Sequence, residues 1–77
     1  QLFIRNLKGR TITIILNEAT TVDVALEEVL RKEGLELVRS KLFLLFEGKV
    51  LQRGQALSHY GIRQDSTLHL AARQVGG

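Results

Sequence analysis

The stretch TTVDVALEEVLRKEG, Thr20 to Gly34, places apolar residues at Val22, Ala25, Leu26, Val29 and Leu30. That spacing puts all five on one face of an α-helix. Both ends carry boundary signals. Thr20 or Thr21 is suited to cap the first turn, Asp23 lies where the helix dipole favours negative charge, and Arg31 and Lys32 lie where it favours positive charge. Gly34 follows as the residue best able to adopt the left-handed conformation just past a helix end. The stretch predicts a single helix of about three turns with one apolar face.

On either side of this helix the period changes to two. Upstream, QLFIRN sends Leu2 and Ile4 one way and Gln1, Phe3 and Arg5 the other. After LKGR, TITIIL alternates again, with Ile12, Ile14 and Leu16 opposite Thr11, Thr13 and Ile15. Two half-buried strands joined through a turn at Gly9 read as a β-hairpin. Downstream, LELVRS has no clear period, KLFLLF is a nearly continuous apolar run expected in the middle of a sheet, and EGKVL turns at Gly48 into a brief strand. LSHYGI reads as a helical turn anchored by Tyr60. STLHLAA alternates once more, Leu68 and Leu70 inward and Thr67, His69 and Ala71 outward. The order β-β-α-β-β-β predicts an α+β domain, with the helix across one face of a mixed sheet and the other face partly open to solvent.

A chain of 77 residues holds one domain with a small core. Periodicity ends at Arg73, so a folded domain over residues 1–73 and a flexible tail over 74–77 are expected. The absence of methionine suggests a chain trimmed or cut from something longer. With no cysteine, thiol nucleophiles, disulfides and thiolate metal sites are excluded. The two histidines, His59 and His69, fall on different elements, while Ser58, Asp65 and Ser66 read as caps and turn formers. No catalytic residues, metal site or cofactor are therefore expected. The net charge of +3 raises nucleic acid as a partner, with Arg5, Lys8, Arg10 and Arg73 as a basic rim. The basic residues are scattered and few aromatics stand ready to stack on bases, so this reading is not favoured. No apolar run approaches the roughly 20 residues of a membrane span.

Several short stretches carry a specific resemblance: GRTITI after the first turn, KEGL at the helix end, FEGKVL, LSHYGI, and STLHL ahead of a Gly-Gly pair. Together they make the whole chain similar to the ubiquitin family, with Gln1 matching the family's second residue. The resemblance implies a β-grasp fold, a monomer, and a place in the cytoplasm or nucleus. It also implies a protein modifier, conjugated through the carboxylate of Gly77 behind the slim residue Gly76. Activating, conjugating and ligating enzymes and receptor proteins would be its partners. The alternative is a domain of a longer protein that binds partners without conjugation.

Residue by residue, the resemblance assigns Arg73 to recognition by an activating enzyme. Leu7, Leu45, His69 and Ala71 match an apolar receptor-binding patch, with Phe43 expected beside it. Lys49 and Lys32 match lysines that accept further copies in chains. Other lysines of the family are replaced by Arg5, Arg10, Leu26, Glu28 and Gln64. The connector EGLELVRSKL is about two residues longer than in ubiquitin and lacks its paired prolines. Phe43 and Ile15 stand where polar or charged residues are usual, Ala71 is smaller than its counterpart, and Val75 replaces a basic residue. The chain reads as a divergent member.

Overall fold

Alternation lets the first two segments pair with their apolar sides on one face. They form strands β1 (Leu2–Arg5) and β2 (Thr11–Ile14), antiparallel, with Leu2 opposite Ile14 and Ile4 opposite Ile12. The turn between them closes on Asn6, whose side-chain oxygen accepts the N–H groups of Lys8 and Arg10 at 3.0 and 2.8 Å. The computed structural model describes residues 1–73, and the expected tail, with Gly76 and Gly77, lies outside the described residues.

Helix α1 spans Val22–Glu33 and buries the five residues its spacing selects. Thr21 occupies the cap position in an extended conformation, but its side chain makes no capping hydrogen bond. The first turn is satisfied by a neighbouring loop instead: Val22 N–H donates to the Gln55 carbonyl at 2.8 Å, and Asp23 Oδ1 accepts the N–H of Gly54. Leu57 N–H returns a bond to the Thr20 carbonyl at 2.9 Å. At the other end Gly34 adopts φ 69° and ψ 32°, and Leu35 N–H reaches back to the Leu30 carbonyl at 2.9 Å.

The aperiodic connector becomes a 3₁₀ segment, Glu36–Lys41, kinked at Val38 and without buried residues. Arg39 ties it to α1 through a two-pronged contact with the Glu27 carboxylate, at 3.1 and 2.8 Å. Strands β3 (Leu42–Phe46) and β4 (Lys49–Val50) follow, then a second 3₁₀ turn at Leu57–Tyr60 and strand β5 (Thr67–Ala72). Tyr60 anchors that turn as anticipated, its hydroxyl accepting the N–H of Gln52 at 2.9 Å.

The sheet runs β2-β1-β5-β3-β4, with β1 parallel to β5 and the other neighbours antiparallel. Its centre is β5. The run KLFLLF lies inside the sheet, paired with β5 on one side and β4 on the other, as its apolarity predicts. Leu42 and Leu44 enter the core, whereas Phe43 and Leu45 are half-buried on the face away from α1. The run is apolar on both sides without being covered on both sides. Ile4, Val29, Leu30, Leu44, Leu57 and Leu68 form the centre of the core between sheet and helix, each at most 1% exposed. One helix covers one face, and the outer face of the sheet is left to the candidate site.

Candidate functional site

Strand register decides which side chains meet on the uncovered face. Arg5 pairs with Thr11 on β2 and with His69 on β5; His69 pairs with Leu45 on β3, and Leu45 with Val50 on β4. Opposed residues share a face with Cβ atoms roughly 5 Å apart, so these five form a row across the whole sheet. Phe43 and Ala71, also opposed, make the next step of the same face. Leu45, Phe43, Ala71 and Val50 thereby form a continuous apolar strip on the β5-β3-β4 side, with Val50 51% exposed.

Arg73 extends the strip's edge. Its N–H donates to the Lys41 carbonyl at 2.7 Å, continuing the β5–β3 pairing by one residue, and its guanidinium carbon lies 5.7 Å from the centre of the Phe43 ring. A cation over an aromatic face at an exposed site contributes about 0.5–1 kcal/mol. The stacking covers one face of the guanidinium and leaves its N–H edge available to an anion.

Among the described residues the ion pairs are Glu28–Arg31 and Glu27–Arg39, both on the helix side. The hydrogen bond from Arg31 holds the Glu28 carboxyl below its usual range, and the same contact raises the arginine. Glu27 likewise raises Arg39. The outer-face cations Arg5 and Arg73 have no carboxylate partner among the described residues. The sheet side is therefore apolar with a basic border, while the helix side carries neutralised pairs.

The remaining predicted residues are distributed as follows. Leu7 is 49% exposed in the β1–β2 turn and lines a hollow with Lys8, Arg10, Glu33 and Leu35, so no strand pairing joins it to Leu45. Lys49 is exposed on the edge strand β4. Lys32 is exposed near the end of α1, with its ammonium donating to the Thr13 carbonyl at 2.5 Å. His59 packs edge-on against Tyr60, ring centres 5.1 Å apart, on a different element from His69 of β5. Among the described residues no three potential metal ligands converge.

Val50 is the member of the strip that sequence reasoning missed. Its signal was present in EG at positions 47–48. Glu47 and Gly48 take φ values of 50° and 77°, the two-residue turn that brings Phe46 against Lys49 and hence Leu45 against Val50.

Five mixed strands with a single helix across one face define an α+β domain of β-grasp type. The sequence matches the ubiquitin family over residues 2–75, and the chain belongs to that family. It is similar to the E3 ubiquitin-protein ligase UPL5 of Arabidopsis thaliana, at 32% identity over 74 residues. The aligned segment covers 95% of this chain and 8% of the ligase, so the chain spans a small part of that relative's length.

Proposed function

We propose that this ubiquitin-like domain is a protein-interaction module that docks partners on the outer face of its sheet. The observation that carries this reading is the strip of Leu45, Phe43, Ala71 and Val50, aligned by strand register and bordered by Arg5 and Arg73. Apolar area of this kind, uncovered and rimmed by polar groups, marks contact sites on small domains. The likeness to a short part of a large ligase supports a place within a longer chain, where the domain supplies recognition and other segments supply chemistry.

Affinity capture from a cell extract tests the reading. Partners retained by the immobilised domain are expected to be lost with Leu45→Ser and kept with Val24→Ser, an exposed change on the helix side, with both variants checked for an unchanged far-UV spectrum. Equal retention by both variants would remove the outer face from the function.

The pair Gly76-Gly77 supports a second reading, conjugation. Two residues without side chains pass extended through a narrow channel, and a carboxylate exposed at Gly77 is open to adenylation by ATP with release of pyrophosphate. Transfer to an enzyme thiol with loss of AMP gives a thioester, and attack by a lysine amine releases the thiol. Lys49 and Lys32 would be the chain acceptors and Arg73 the contact for an activating enzyme. Incubation of the chain ending at Gly77 with ubiquitin-type enzymes and ATP is expected to give thiol-sensitive and then stable adducts. Their presence after deletion of Gly77 would end this reading.

A further inference from the structure

A groove of about 570 Å³ opens along the β4 edge of the sheet, where the outer face meets the side of the domain. Its inner wall is the core seen from the side, through Leu26, Leu42 and Leu51. Its rim is Phe43 and Val50 from the outer strip, with Ser40, Gln52, Arg53 and Arg73 as polar partners. The groove is thus continuous with the apolar strip and carries two guanidinium groups at its mouth.

The backbone of this rim is tied down at several points. Gln52 N–H donates to the Tyr60 hydroxyl at 2.9 Å and Gly54 N–H to the Asp23 carboxylate, so the backbone on both sides of Arg53 is anchored. Leu51 N–H bonds the Leu44 carbonyl at 2.9 Å, which extends the strand pairing into the rim. Arg73 is fixed by its bond to Lys41 and by the Phe43 ring. Among the described residues neither Arg53 nor Arg73 forms an ion pair; the Asp23 carboxylate, bonded to Gly54 N–H next to Arg53, keeps its charge. A groove with an apolar wall and two guanidinium groups that lie outside any ion pair among the described residues is complementary to an acidic chain bearing an apolar side chain.

We propose that this groove is a subsite for an acidic peptide segment of a partner protein, which lays an apolar side chain against Phe43 and Val50 and sets carboxylates on Arg53 and Arg73. The inference rests on the reading of the outer face as a docking surface, and adds the chemistry of what docks and the direction in which it extends.

The test is a titration of the ¹⁵N-labelled domain with an acetylated, amidated peptide of sequence Glu-Asp-Glu-Leu-Val-Glu-Asp, followed by amide shifts. Saturable shifts are expected at Val50, Gln52, Arg53 and Arg73, weakening several-fold when salt rises from 50 to 500 mM (roughly, by the screening of surface pairs). Arg53→Gln should weaken binding about fivefold, with Arg63→Gln, on a loop away from the groove, unchanged. The version with Gln and Asn in place of the acids should bind at least several-fold more weakly. Absence of saturable shifts, equal binding of the neutral peptide, or groove shifts produced by oligothymidine and not by the acidic peptide would each overturn the proposal. Shifts confined to Leu45 and His69 would overturn it while leaving the sheet-face reading intact. Groove shifts in a domain whose Leu45→Ser variant retains all captured partners would uphold the groove and remove that reading.

Discussion

Leu44 and Leu45 are adjacent in sequence, identical in chemistry and opposite in environment, so truncating each to alanine separates the core from the outer face. Leu44 is 1% exposed between sheet and helix. Its change to alanine removes three buried carbon groups, worth about 2.4 kcal/mol at ~0.8 kcal/mol each. The cavity left behind raises this to about 3–4 kcal/mol. Leu45 is half-buried on the outer face, where solvent fills the space left, so its loss costs about 1 kcal/mol. A chain of 77 residues is stable by ~4–12 kcal/mol in total, so the first change consumes a large share and the second does not. Urea unfolding followed by circular dichroism reads the difference. With a slope of about 1 kcal/mol per molar, Leu44→Ala should lower the midpoint by about 3 M and Leu45→Ala by about 1 M, at unchanged slope. Partner capture should show the reverse order, with Leu45→Ala the more damaging. Equal midpoint shifts, or a larger one for Leu45, would mean that β3 is displaced by one residue and that every face assignment built on it is wrong.

Gly34→Ala should cost about 1 kcal/mol in the same unfolding experiment, because φ of 69° is strained for a residue with a Cβ although open space surrounds the position; a stabilising result would contradict the helix-end geometry. Tyr60→Phe removes the acceptor for Gln52 N–H and is expected to cost about 0.5–1.5 kcal/mol and to speed amide exchange at Gln52. An exchange rate unchanged at Gln52 would argue against that bond. Glu28 has its folded pKa lowered by the hydrogen bond from Arg31, so its stabilising effect is full above the ordinary carboxylate range and fades as pH falls through the lowered value. Thermal melts of wild type and Glu28→Gln should therefore differ slightly near neutrality, differ less in high salt, and converge in acid; a gap that widens toward acid would show the sign to be wrong.

Much of this architecture is legible because it rests on local periodicity. The five helix residues, the inward pair Leu68 and Leu70, and the end signal at Gly34 each follow from spacing along a few turns or residues. Pairing is not local. Alternation in STLHLAA says that β5 has two faces, but nothing in it says that β5 lies between β1 and β3, which depends on a parallel contact across some sixty residues of chain. The continuous apolarity of KLFLLF places the strand inside the sheet, and a strand covered on both sides would read in this way, but it does not say which faces are covered. A strand whose outer residues serve as a contact face has the same appearance, since both uses select Leu and Phe. Val50 was obscure for another reason: a two-residue strand offers no alternation to read, and its face is inherited through the turn at Glu47–Gly48. The connector Glu36–Lys41 lacks buried residues and so lacks any period to detect.

The outer face and the core also divide the energetic work of a small chain. With one helix to cover one side of the sheet, the side chains that turn outward add little to stability, and selection for packing leaves them free to vary. Phe43 and Val50 are accordingly apolar without entering the core, and they carry the apolar strip toward Arg53 and Arg73. A partner reading this edge meets an apolar ledge with guanidinium groups beside it, whereas the opposite end of the same row offers Thr11 and Arg5. On the proposed reading of this face, Val50→Thr, an exposed change on the same row, should alter which partners the immobilised domain retains while changing the unfolding free energy by no more than about 0.5 kcal/mol.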